Sequence, residues 1–441
     1  MTTLIELTAA EAASQIAQGA ISAEGYMRAC LERIAAVEPD IGAFAHLDPE
    51  HALAQARAAD EGRRSGKPLG PLHGIPVAIK DIIDTADYPT ECGSALLVGR
   101  RPVADATVVS RLRDAGAIIV GKTVTTEFAY FSPGKTRNPH NGEHTPGGSS
   151  SGSAAAVAAG MVPLALGTQT NGSIIRPASF CGVFGIKPTH GLVPRTGVLP
   201  LSHNLDHVGP YARSLEDLAL VLDVIAGFDA GDADSRPLAV RNFREIATAE
   251  ARQAPRFAFV RTPVWDQAEG YTRDAFEALA KSLGDDCVTF DLTDSFAEAW
   301  DALRIIMAAD MAHNLGAYAD RGGDAVSDVF RKLMAQGRGF NATQYLDAQA
   351  LARGLRAALD ELFKTQFSVL ITPAAPGIAP KGLESTGNPV FNSLWSLTGL
   401  PTVSLPLLKH DGMPLGVQLV GASNDDARLL RHAAWLVAAF G

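Results

Sequence analysis

The sequence predicts an α/β fold built as one large domain. Three observations carry that expectation. Short apolar runs alternate with helical patterns from Ile75 onward, which is the pattern of strands interleaved with covering helices. Nothing between residues 75 and 225 has the composition of a linker. The chain has 441 residues, a length that by itself suggests two or three domains but is also enough for one large core.

The elements follow in order. Thr8 and Glu11 form a capping-box pattern that opens a short helix ending near Gly19, because each side chain can satisfy an orphan N–H of the first turn. Met27, Cys30, Leu31, Ile34 and Val37 mark one face of a second helix. Asp48-Pro49 opens a third, running to about Glu61, since proline suits the first helical position. From there Ile75–Ile79 reads as a strand, Ala106–Ala115 as a helix, Ala117–Val120 and Pro163–Gly167 as strands. Val369–Thr372, Thr402–Pro406 and Gly416–Val420 read as later core strands. The resulting division is N-terminal helices over 1–65, a motif-dense core over 70–225, a polar, variable excursion over 229–300, and a C-terminal part of the core over 365–441.

Composition narrows the partners. The net charge is −10 with no long basic run, which argues against nucleic acid and anionic membranes. Cys30, Cys92, Cys181 and Cys287 lie far apart without metal-ligand spacing, as expected for reduced thiols in a cytoplasmic protein. The N-terminus lacks the basic start and apolar run of a secretory signal. The most apolar long segment, Ala154–Gly167, has 14 residues, too few to span a bilayer as a helix.

One motif misleads. Gly116 to Thr123 matches the phosphate-loop pattern G-x-x-x-x-G-K-T, but its middle residues are Ala117, Ile118, Ile119 and Val120. Three β-branched side chains favour an extended strand over a loop that curls its N–H groups around phosphate.

The informative stretch is Thr145–Thr189. Gly147-Gly148-Ser149-Ser150-Ser151-Gly152-Ser153 leads straight into an alanine-rich helix. A Gly/Ser run is ordinarily a linker; one packed against a small-residue helix must satisfy its backbone groups inside the protein, as a site gripping a substrate through the backbone would. The strand Pro163–Gly167 then enters Thr168-Gln169-Thr170-Asn171-Gly172-Ser173-Ile174-Ile175-Arg176-Pro177. A serine on a glycine-containing turn after a strand can present its hydroxyl together with a fan of N–H groups, the pairing acyl transfer needs. The alternative is an ordinary turn before Pro177. A base is also required. Asp206 and His207 are adjacent in sequence and cannot readily orient one another as in a Ser-His-Asp triad, so His207 reads as structural. Lys80 ends an apolar strand; burial would lower its pKa toward the range useful for general base catalysis. A surface lysine paired with Asp81 is the competing reading.

These motifs resemble the amidase signature family. The match comprises His73-Gly-Ile-Pro-Val-Ala-Ile-Lys80-Asp81, the Gly147–Ser153 loop, Gly172-Ser173, Phe184-Gly-Ile-Lys-Pro-Thr189, Leu205-Asp-His-Val-Gly-Pro210 and Pro414-Leu-Gly-Val-Gln-Leu-Val420, in family order over about half the chain. The resemblance implies a single α/β/α domain around a large mixed sheet, with 70–225 as its signature core. Residue by residue, it implies Lys80 as base, Ser173 as nucleophile and Ser149 as the bridging serine after a cis peptide bond. The N–H groups of Thr170, Asn171, Gly172 and Ser173 would form the oxyanion hole. It implies no metal and no cofactor, and a small-molecule amide as partner, with a homodimer left open. Gln169 stands where the family more often has Asp, and Asn171 where it has Gly. Arg176 lies three residues past Ser173 instead of two. This pattern is closest to the short bacterial malonamidase type, whose arginine holds a substrate carboxylate. It favours a free-standing amidase, the alternatives being an esterase or aryl-acylamidase and a glutamine-type amidotransferase subunit. Arg176 itself could instead brace its loop through a buried acidic partner.

Overall fold

A computed structural model describes residues 3–237, 242–249 and 254–440. Eleven strands form one sheet: β1 (Phe44–Leu47), β2 (Pro76–Lys80), β3 (Ile118–Thr123), β4 (Leu164–Gln169), β5 (Phe184–Lys187), β6 (His207–Ala212), β7 (Phe257–Arg261), β8 (Cys287–Asp291), β9 (Val369–Pro373), β10 (Thr402–His410) and β11 (Met413–Val420). Their order is β1-β3-β2-β4-β6-β5-β10-β11-β9-β7-β8. The sheet is mixed. β3, β2 and β4 run parallel, as do β9, β7 and β8, while the strands between these groups pair antiparallel. β2, β3 and β4 are buried along their whole length, which is why their sequences read as near-continuous apolar runs rather than alternating ones.

Among the described residues, fourteen α-helices accompany the sheet: α1 (Ala9–Gln18), α2 (Ala23–Ile41), α3 (Pro49–Arg64), α4 (Thr107–Asp114), α5 (Ser151–Ala158), α6 (Ile175–Cys181), α7 (Leu215–Ile225), α8 (Phe243–Thr248), α9 (Gly270–Ser282), α10 (Ala299–Gly322), α11 (Asp328–Gly339), α12 (Ala342–Thr365), α13 (Val390–Leu397) and α14 (Asp426–Phe440). The α1 capping box forms as expected, Thr8 and Glu11 each accepting from the other's backbone N–H. Asp217, from α7, also accepts from the N–H groups of Ala9 and Ala10, and Asp60, from α3, does the same for Ala23 and Glu24 at the start of α2. Buried carboxylates at helix N-termini satisfy orphan donors and the helix dipole together, so the N-terminal helices are bound to the domain. One continuous apolar core runs from Leu7 to Leu436. No described helix is long and apolar enough to cross a membrane.

Three expectations need correction. Residues 1–65 contain a strand as well as helices, because β1 pairs antiparallel with β3 at the sheet edge. Residues 229–300 are not an excursion from the core: β7 and β8 extend the central sheet, β7 pairing with β9. The strand expected over Ala117–Val120 continues to Thr123 and takes the whole G-K-T of the false phosphate motif with it. Gly121 serves packing there. A Cβ on it would lie 2.3 Å from the His46 carbonyl oxygen across the β1–β3 pair, a distance no Cβ tolerates.

Candidate active site

The Gly147–Ser153 segment is buried throughout, and its hydroxyls explain how a Gly/Ser run survives there. Ser151 Oγ donates to the Gly147 carbonyl (2.8 Å), Ser150 Oγ to that of Thr168 (3.2 Å) and Ser153 Oγ to that of Leu166 (2.9 Å). Gly152 allows α5 to approach the strand layer: a Cβ would sit 2.2 Å from the Ala43 carbonyl oxygen. The loop is thus fastened to β4 and is no linker. Its Gly148–Ser149 peptide bond is cis.

Lys80 ends β2 with no solvent exposure. Its Nζ donates to Ser149 Oγ and to Thr168 Oγ1, both at 2.7 Å. Burial holds its pKa well below the usual lysine range, opposed by the Asp206 carboxylate. The competing reading of a surface ion pair with Asp81 fails, because Lys80 is fully buried and Asp81 pairs instead with Lys122, at 3.4 Å. Thr168 carries little signal in the sequence; only its position two residues before Thr170 points to it.

Beyond β4 the chain turns through Thr170–Ile174 into α6. Gln169 Oε1 accepts from the N–H groups of Ile174 (2.8 Å) and Ile175 (3.0 Å), and its Nε2 donates to Ser396 Oγ (3.0 Å). On α13, Ser396 Oγ donates to the Asn171 carbonyl (2.5 Å) and Ser393 Oγ to Asn171 Oδ1 (2.8 Å). Thr170 Oγ1 donates to the buried Asp206 carboxylate (2.6 Å). The turn is therefore held at both flanks by side-chain groups. Among the described residues, the N–H groups of Asn171, Gly172 and Ser173 donate to no protein acceptor. Ser149, Thr170, Asn171, Gly172, Ser173 and Arg176 line one tight cavity, closed from other elements by Phe131, Met307, Met311, Thr386 and Pro389. These last five residues carried no signal in the sequence, because they reach the cavity only through tertiary packing.

Arg176 lies inside α6 and is 2 % exposed. One of its Nη atoms donates to the Gly148 carbonyl (2.7 Å) and to Thr386 Oγ1 (3.1 Å), and the guanidinium sits 6.0 Å from the Phe131 ring centre. Among the described residues, its Nε and other Nη have no partner. The acidic brace that the sequence left open is absent among its contacts. Burial pushes its pKa down to about 9, so it stays charged at neutral pH. His207 is structural: its Nδ1 meets the carbonyl oxygens of Leu205 (2.6 Å) and Gln169 (3.2 Å), and its Nε2 lies 3.3 Å from Lys187.

The Amidase family matches residues 26–430, and the chain belongs to that family. It is 39 % identical to a glutamyl-tRNA(Gln) amidotransferase subunit of Chloroflexus aurantiacus, over 98 % of this chain and 96 % of that protein. Among solved structures it resembles a chain of a vestigial protein complex that bears on the origins of an s-triazine catabolic enzyme, with 32 % identity, a TM-score of 0.91 and 98 % of each chain covered. It also resembles the peptide amidase of Stenotrophomonas maltophilia, with 31 % identity, a TM-score of 0.87, and 99 % of this chain and 97 % of that one covered. The fold is that of the amidase signature enzymes, and the protein is an amidohydrolase of that family.

Proposed function

We propose that this amidohydrolase cleaves the C–N bond of a small, carboxylate-bearing carboxamide through an acyl-enzyme on Ser173. The observation that carries the reading is Lys80, a buried amine 2.7 Å from a serine that shares its cavity with Ser173. In this reading neutral Lys80 accepts the Ser149 proton while Ser149 takes the proton of Ser173, whose Oγ attacks the amide carbon. The N–H groups of Thr170, Asn171, Gly172 and Ser173 receive the developing oxyanion. Ser149 passes its proton to the leaving nitrogen, Lys80 reprotonates Ser149, and the amine departs. Water then adds to the acyl-enzyme by the same relay and releases the acid. Unpaired N–H donors on Arg176 at the cavity wall support a carboxylate on the acyl part, because a guanidinium pairs with carboxylate through two parallel hydrogen bonds.

A second reading is favoured by a separate observation. The amidotransferase relatives match nearly the full chain at 39 % identity, so the same machinery could release ammonia from glutamine within a larger assembly. Ammonia release from the isolated protein separates the two. A panel of monoamides of small dicarboxylic acids, neutral amides of similar size, their esters, and glutamine would be assayed. The first reading expects the carboxylate-bearing monoamides to be turned over fastest. Turnover of glutamine alone would favour the amidotransferase reading, and faster turnover of neutral esters would favour an esterase.

A further inference from the structure

A second cavity, of about 240 Å³, opens between α12, the end of α13 and the loop at 234–236. It is separate from the serine-lined site and shares no lining residue with it. Its lining combines apolar Leu205, Ile306 and Leu397 with Arg236, Arg353 and Arg356, and with polar groups that include the Asp234 carboxylate. Arg353 and Arg356 are three residues apart on α12, a spacing that puts them side by side on one helix face, where like charges repel. Arg236 reaches the cavity from the opposite loop, close enough to be one of the groups that lower the pKa of half-buried Arg356, after burial itself.

Carboxylates offset only part of this charge: Asp234 lines the same cavity and Asp360 pairs with Arg356. Asp234 is engaged by Arg195 and lies 3.4 Å from His203. Asp360 is 3.9 Å from Arg356. Among the described residues, Arg236 and Arg353 side chains make no hydrogen bond or ion pair. The carbonyl end of α13 offsets part of one positive charge, since a helix C-terminus carries about half a charge. Arg236 and Arg353 thus present two guanidiniums without a protein partner among the described residues, at a cavity that Arg356 also lines, donors that a bound dianion would engage.

We propose that this cavity binds a small phosphate monoester with an apolar body, its dianionic head held by Arg236, Arg353 and Arg356 and its body laid against Leu205, Ile306 and Leu397. A phosphate monoester carries close to two negative charges at neutral pH and three strong acceptor oxygens, matching several forks at once, whereas a carboxylate saturates one.

Phenyl phosphate is the probe, titrated calorimetrically into the wild type and into Arg353→Gln, Arg236→Gln and Arg176→Gln. Arg236 and Arg353 are exposed, so their glutamine variants should fold; a circular-dichroism melt checks this. The expected result is one site in the wild type, weakened roughly tenfold or more in Arg353→Gln and in Arg236→Gln, as for loss of a charged hydrogen bond, and unchanged in Arg176→Gln. Inorganic phosphate should bind more weakly than phenyl phosphate, benzoate more weakly still, and benzyl alcohol not at all. No binding at millimolar phenyl phosphate would overturn the proposal. So would equal affinity in the Arg353 and Arg236 variants, loss only in Arg176→Gln, or benzoate binding as tightly as phenyl phosphate.

Discussion

The side-chain nitrogen of Lys80 lies 2.7 Å from Ser149 Oγ, and neither atom's residue is more than 3 % exposed. A buried lysine that bonds only to hydroxyls, with no carboxylate in contact, is costly to keep charged. Lys80→Met should therefore separate stability from activity. The apolar replacement of similar volume removes a desolvated amine, so the melting temperature should not fall. Loss of a general base should lower kcat by roughly 10²–10⁴-fold. A variant with near wild-type kcat would remove Lys80 from the mechanism.

The same burial fixes a pH dependence. The pKa of Lys80 is lowered from its ordinary value near 10.5; in the proposed mechanism the neutral amine is the active form, so kcat/KM should rise with pH through the lowered value. The stability sign follows. Between the folded pKa and 10.5 the unfolded chain holds the proton that the folded chain lacks, so stability rises with pH across that window. Replacing Lys80 by Met should flatten that slope. A kcat/KM profile that falls as pH rises from acid to neutral would contradict the assignment.

Gln169 holds the turn that carries the proposed oxyanion hole, accepting from Ile174 and Ile175 and donating to Ser396. Gln169→Ala leaves two buried N–H groups unpaired, a loss of about 1–3 kcal/mol each where water cannot enter. The melting temperature should drop, and kcat should fall more than KM rises, because the turn acts on the transition state. Equal kcat with raised KM would place Gln169 in substrate binding instead.

Much of this was legible because the chemistry is local. Lys80 ends the apolar strand β2, Ser173 lies in the turn after β4, and Ser149 lies in the Gly/Ser loop before α5, places where periodicity and glycine spacing are readable. What the sequence hid is what only pairing supplies. β7 lies in a polar stretch and becomes a core strand by pairing with β9, more than a hundred residues on. Ser393 and Ser396 look like ordinary helix residues until α13 lays them against Asn171, 222 and 225 positions earlier. Lys122 looks like a phosphate ligand, yet its partners are Thr90 (2.5 Å) and Asp81 (3.4 Å), contacts that no local pattern encodes.

Arg176 has two unpartnered nitrogens and no acidic neighbour among its contacts. If they await a substrate carboxylate, Arg176→Gln should cost a carboxylate-bearing amide roughly ten- to a hundredfold in kcat/KM, and a neutral amide of the same size far less. Equal losses on both substrates, with a lowered melting temperature, would make the arginine a brace for the Gly148 carbonyl.

The central claim is the covalent role of Ser173, and a fluorophosphonate probe tests it most directly. Intact-mass analysis should show one adduct on the wild type, and peptide mapping should place it on Ser173 in the turn between β4 and α6. Ser173→Ala should take up no label while keeping its fold. An adduct that persists in Ser173→Ala, or one mapped to Ser149, would contradict the account.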